Sequence, residues 1–162
     1  MHPIHDFDVL LLLATALSSK RRPAQLVKII AATDLIQQAT PAEPKMIEAF
    51  SRLAINGLLI EIDGGFALTP DAQKLVERLP KKADAAERMF IVRDKLSEYN
   101  AKAVHAPIVL NAEQVKAAID AHKLAGESTA KNLLVPKPKP PEETHRPGQR
   151  QRKPAPARRR KD

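Results

Sequence analysis

The hydrophobic pattern changes from a helical period to a strand period within residues 56–65. This change constrains the fold more than any other feature of the chain. Asn56-Gly57 can close a preceding helix, because glycine accepts the left-handed backbone conformation found at helix ends. Residues 58–62 (LLIEI) then have strand character. Asp63-Gly64-Gly65 is typical of a tight hairpin turn, since glycine takes positive φ at little cost, and Phe66-Ala67-Leu68 forms the return strand. A small antiparallel hairpin is therefore expected inside an otherwise helical chain.

Three helices are expected before this hairpin. The first runs over 6–18, where apolar residues recur at helical spacing and Asp6 can cap the N-terminus. The second starts at Pro23, whose fixed φ suits the first helical position. Thr40-Pro41-Ala42-Glu43 has the pattern of a third helix start, with Thr40 as cap and Glu43 completing a capping box. Pro44 leaves the first residue of this third helix open.

Three more helices are expected after the hairpin. Thr69-Pro70-Asp71 opens a short one that runs to about Leu79. A longer helix follows over about 83–103. Residues 104–110 then form an irregular or extended connector, and Asn111 caps a last helix that ends near Leu124, before Gly126. The fold class is thus mainly α with a small β-hairpin.

Composition limits what the core and the sites can be made of. Aromatic residues are only 3% of the chain, so the core must be mostly aliphatic. The absence of cysteine excludes disulfides and thiolate metal sites. No metal site or cofactor is expected, because His2 and His5 lack carboxylates that would complete a ligand set, and no phosphate-cradling glycine loop occurs.

The apolar run Val9–Leu17 resembles the core of a signal peptide but has the wrong surroundings. Asp6 and Asp8 precede it, and no Lys or Arg does. It is also shorter than the roughly 18 residues that a membrane span needs. We therefore expect a buried helix of a cytoplasmic protein that has no membrane partner.

Positive charge is concentrated at the C-terminus. Residues 136–162 hold ten Lys and Arg against three Asp and Glu, a net charge of +7, whereas residues 1–135 carry only +1. The same 27 residues include seven prolines and no aromatic residue. A segment of this composition cannot bury enough apolar surface to offset its ordering entropy, so a disordered basic tail is expected.

The run around the hairpin resembles a known fold family. Phe50–Ile60 is similar to the end of a recognition helix, Asp63-Gly64-Gly65 to a wing, and Phe66–Ala72 to the strand and Leu-Thr-Pro start of the next helix in winged helix-turn-helix regulators of the MarR and PadR kind. The resemblance covers about residues 6–80. It implies a winged domain over 1–80, a dimerisation helix over 81–103, a connector and short helix over 104–135, and the tail over 136–162.

The resemblance further implies that the third helix enters a major groove of double-stranded DNA while the wing touches the neighbouring backbone. The candidate DNA contacts in the domain are Lys45, Ser51 and Arg52 of this helix and the basic turn Lys20-Arg21-Arg22. The alternatives are an ordinary exposed helix face, a pairing of Arg52 with Glu48 at i,i+4, and a solvated loop. Glu48 and the wing, which lacks Lys and Arg, make the charge of this surface mixed.

The tail is expected to attract nucleic acid through phosphates, without stacking on bases. The alternatives are a solubilising extension and a polyproline II segment over 137–141 that docks on a protein. The candidate tail contacts are Lys137, Lys139, Arg146, Arg150, Arg152, Lys153, Arg158, Arg159, Arg160 and Lys161.

An apolar stripe follows the long helix. Met89, Val92, Leu96 and Tyr99 alternate at three- and four-residue steps, the spacing of a helix that pairs with another helix. The stripe predicts a homodimer interface, and the alternative is packing onto the chain's own first helix. The resemblance to winged regulators implies that both occur together.

Two functions remain open at this point. The first is a DNA-binding transcriptional regulator, cytoplasmic and associated with the nucleoid, that is not an enzyme. The second is a non-catalytic adaptor whose winged domain docks on a protein partner while the tail tethers the assembly to nucleic acid.

Overall fold

The computed structural model describes residues 4–80 and 82–133, the last six by their backbone alone. The described part is mainly helical, with one two-stranded antiparallel sheet. The elements are α1 (Asp6–Ser18), α2 (Leu26–Gln37), α3 (Glu43–Ile55), β1 (Leu59–Ile62), β2 (Gly65–Leu68), α4 (Pro70–Val76), α5 (Ala85–Glu98) and α6 (Ala112–Leu133).

Helix α1 lies at the centre of the core. Its residues 8–15 are all buried, and it packs against α2, α3, α4, α5 and β2. The expected bounds of this helix are confirmed. An apolar run with little amphipathic character is what a helix surrounded by other elements requires.

The predicted hairpin is present, but its first strand begins at Leu59 instead of Leu58, and Gly65 belongs to the second strand instead of the turn. Leu59 pairs with Leu68 and Ile62 with Gly65, so Asp63 and Gly64 form a two-residue turn. Both turn residues have positive φ, +51° at Asp63 and +73° at Gly64, as the primed turns of hairpins require.

The linker between α1 and α2 differs from its expected structure. Pro23 does not begin α2, because Ala24 forms an isolated antiparallel bridge with Phe66, with both N–H···O distances at 2.8 Å. Because the backbone at Ala24 is extended, helix α2 begins at Leu26. The bridge fixes the linker beside β2.

Other helix bounds also depart from the expectations. Helix α3 begins at Glu43, and no side chain caps its N-terminus, so the predicted role of Thr40 is wrong. Helix α4 ends at Val76 instead of Leu79, where Glu77 becomes extended and Arg78 takes a left-handed φ of +62°.

The last two helices differ in length from the expectation, since α5 is shorter and α6 is longer. Helix α5 ends at Glu98 instead of Ala103, and the Tyr99 hydroxyl donates a hydrogen bond to the Asn56 carbonyl at 3.0 Å. Helix α6 continues through Gly126 to Leu133, which corrects the predicted end near Leu124. A glycine inside a helix costs only about 1 kcal/mol relative to alanine, so a single one does not end it.

Helix α6 covers α2 and α3. Val115, Ala118 and Ile119 are buried and belong to the same apolar cluster as α1. His122 Nε2 lies 2.9 Å from Asp34 Oδ2, which adds a polar contact to α2. The connector over 104–110 is irregular, as expected.

Candidate nucleic-acid interface

The outer side of α3 is short of positive charge. Pro44, Lys45 and Glu48 are exposed, and Ser51 and Arg52 are half-buried beside them. Lys45 makes no ion pair within the described residues. The three candidate contacts of α3 therefore differ in exposure and in pairing, and their contact with DNA stays a prediction.

Arg52 is already occupied by two carboxylates. Its Nη2 and Nε donate to Asp8 Oδ1 and Oδ2 at 2.7 and 3.0 Å, and its Nη1 donates to Glu48 Oε2 at 3.3 Å. The hydrogen bonds to Asp8 raise the pKa of the guanidinium above its ordinary value, against the lowering effect of burial. The predicted pairing with Glu48 is confirmed, and Asp8 is a partner that the sequence did not indicate.

Asp8 is the one residue of this surface that sequence reasoning missed. Its side chain is 0% exposed, although it is an ionisable residue near a helix start. A signal was present, because Asp8 shares a helical face with Leu12 and Thr15, four and seven residues later, and both are buried. A carboxylate on a buried face needs a paired cation.

The basic turn is open and adjoins the sheet. Lys20, Arg21 and Arg22 are exposed and make no ion pair within the described part of the chain. Lys20 also lines a cleft of about 580 Å³ together with Lys74 of α4. Because Ala24 follows Arg22 by two residues, its bridge to Phe66 holds the backbone next to this turn on the β2 side of the hairpin.

The other side of the hairpin has a different character. The outer strand β1 carries Glu61, and the turn carries Asp63. Ile60 and Ile62 are 39% and 40% exposed and alternate with Glu61. This edge is acidic and apolar, which suits the phosphates of DNA poorly.

The apolar stripe of α5 is used inside the chain. Val92 and Leu96 are 0% and 1% exposed, and Met89 and Tyr99 pack against the same core. Packing of this stripe onto the chain's own first helix is therefore present, and α5 contacts α1. The predicted dimer interface at Met89, Val92, Leu96 and Tyr99 stays a prediction.

The ten cations of the tail, Lys137 to Lys161, lie outside the described residues, so their predicted contacts with nucleic acid stay predictions. Within the described residues, no helix combines the length and apolar character needed to cross a membrane.

No protein-family model, curated protein or solved structure matches this chain. Its function is therefore inferred from its own residues.

Proposed function

We propose that this protein is a non-catalytic DNA-binding protein of the winged-helix kind, acting as a transcriptional regulator. The observation that carries the proposal is the Ala24–Phe66 bridge. It holds the backbone that follows three exposed cations, Lys20, Arg21 and Arg22, beside the hairpin that comes after α3. A cationic surface beside a helix and hairpin supplies the phosphate contacts on which duplex affinity depends.

Within this proposal, the elements have separate tasks. Lys45 and Ser51 face the groove from α3, the basic turn contacts the backbone, and the tail adds affinity by counterion release. Because Arg52 is held by two carboxylates, Lys45 is the cation of α3 on which binding depends most.

Fluorescence anisotropy with duplex DNA tests the proposal. Lys45→Glu is expected to weaken binding about tenfold, roughly the 1–3 kcal/mol that a direct contact contributes. Lys123→Glu is the matched control, since it makes the same charge change on an exposed position of α6. A chain ending at Val135 is expected to keep its sequence preference and to show a smaller salt dependence, because the basic turn still contacts phosphates. Equal affinities for Lys45→Glu and Lys123→Glu would show that α3 does not read DNA.

A protein adaptor is the second candidate, and one observation favours it. The β1 edge exposes Ile60 and Ile62 next to Glu61, a surface of the kind that proteins dock on. If duplex binding disappears with the tail and Lys45→Glu changes nothing, the adaptor is the better account.

A further inference from the structure

Arg52 stands between the outer side of α3 and helix α1. Its three hydrogen bonds to Asp8 and Glu48 direct the guanidinium along the protein surface, and its side chain is only 28% exposed. An arginine at this place on α3 would otherwise be the strongest phosphate ligand of the surface, because its planar fork matches two oxygens at once.

The contact with Asp8 is required by burial and not only by attraction. The Asp8 side chain is 0% exposed, and both carboxylate oxygens accept from Arg52. A buried carboxylate without its cation is strongly unfavourable, so the fold itself holds Arg52 in place.

A second ion pair on α1 offers an internal comparison. Asp6 accepts from Arg93 at 2.7 Å, the same distance as the shorter Asp8–Arg52 contact. The two side chains of that pair are 71% and 55% exposed, so water screens them and both remain free to rearrange.

From this geometry we infer that Asp8 is a positioning residue, which withholds Arg52 from the phosphates of a nucleic acid and leaves Lys45 as the active cation of α3. The inference rests on the proposed function. It predicts that the native protein binds duplex DNA more weakly, and with a smaller salt dependence, than a chain in which Arg52 is released from Asp8.

Asp8→Asn in the full chain tests the inference, with Asp6→Asn as the matched control because it removes the same charge two residues away. Asp8→Asn is expected to raise duplex affinity about tenfold above Asp6→Asn, the effect of one charge-assisted hydrogen bond. The slope of log K against log salt is expected to steepen by about 0.9. Adding Arg52→Gln to Asp8→Asn should abolish the gain. Circular dichroism establishes that each variant is folded.

A measurement on the native chain covers the case in which Asp8→Asn fails to fold. Hydrogen exchange of the Arg52 Nε–H, followed by NMR, is expected to be much slower than that of Arg21 and Arg22. Equal exchange rates would overturn the inference.

The outcomes separate the inference from the proposed function. If Lys45→Glu weakens duplex binding but Asp8→Asn equals Asp6→Asn, the inference is wrong and the function stands. If the native chain does not bind duplex DNA, the function as stated fails. Binding gained in Asp8→Asn then supports the inference, and no gain overturns it.

Discussion

The two sides of the hairpin differ in packing and in charge. On the side of β2, Ala24 closes a backbone bridge and Pro23 lies so near Gly65 that an added Cβ would come within 2.8 Å of the proline ring. On the side of β1, the strand faces outward with exposed Ile60 and Ile62. The packed side carries the unpaired cations and the open side carries Glu61 and Asp63.

The comparison shows that a hairpin of eight strand residues presents two unrelated surfaces. The bridge at Ala24 joins the backbone after the basic turn to β2 by two hydrogen bonds, and β2 is already paired with β1. The open edge has no such neighbour in the described part of the chain. Phosphate contacts are therefore expected on one side only, and protein contacts on the other.

The largest expected effect concerns the packed side. Gly65→Val places side-chain atoms against Pro23, and such overpacking typically costs about 1–3 kcal/mol of unfolding free energy. Gly64→Asn is the control, because no atom lies within 4 Å of its Cβ position and asparagine tolerates positive φ. Urea unfolding measures both. Equal losses in the two variants would mean that the two sides do not differ in packing.

A smaller effect is expected on binding. Replacing Arg21 and Arg22 by Glu should lower duplex affinity and reduce the salt slope by about 1.8, from roughly 0.9 for each phosphate contact. Glu61→Lys on the open side should change the slope little. Lys116→Glu with Lys123→Glu on α6 is the control for net charge. A loss as large in this control would indicate general attraction and not a fixed cationic side.

The smallest expected effect depends on pH. Burial raises the pKa of Tyr99, and the charge of Asp71 adds to this, so the folded chain holds the phenol proton more tightly than the unfolded chain does. Its contribution is complete below the unfolded pKa of about 10 and is lost as the pH rises through the folded value.

Tyr99→Phe isolates this effect at the residue that ties α5 to the segment before β1. The variant also loses the hydrogen bond to Asn56, worth about 1 kcal/mol. The difference in unfolding free energy between the native chain and the Tyr99→Phe variant should therefore be largest near pH 8 and shrink above about pH 10. A difference that stays constant with pH would contradict the assignment.

Local signals predicted most of the secondary structure. The bounds of α1 and the residues of the hairpin follow from hydrophobic period and turn chemistry, which act within a few residues. The starts of α2 and α3 were harder to predict, since prolines such as Pro23 and Pro44 are compatible with several first residues. At Pro23, a distant partner, Phe66, decided the conformation.

The sequence named the candidate site residues but did not predict which of them are paired or buried. Lys45 and the basic turn are exposed, and Ser51 is half-buried. The ion pairing of Arg52 and the burial of the α5 stripe depend on contacts with α1. Spacing along the chain did not decide whether Arg52 is paired or whether the stripe is buried.

The sequence by itself determined the mainly helical fold, the hairpin and its turn, because these depend on neighbours along the chain. Only the tertiary structure decided that Arg52 is bound to Asp8, 44 residues away, and that Val92 and Leu96 face the core. The physical reason is that burial belongs to the assembled fold. Asp8 lies in a helix surrounded by other elements, so its charge requires a partner whose position the local sequence does not specify.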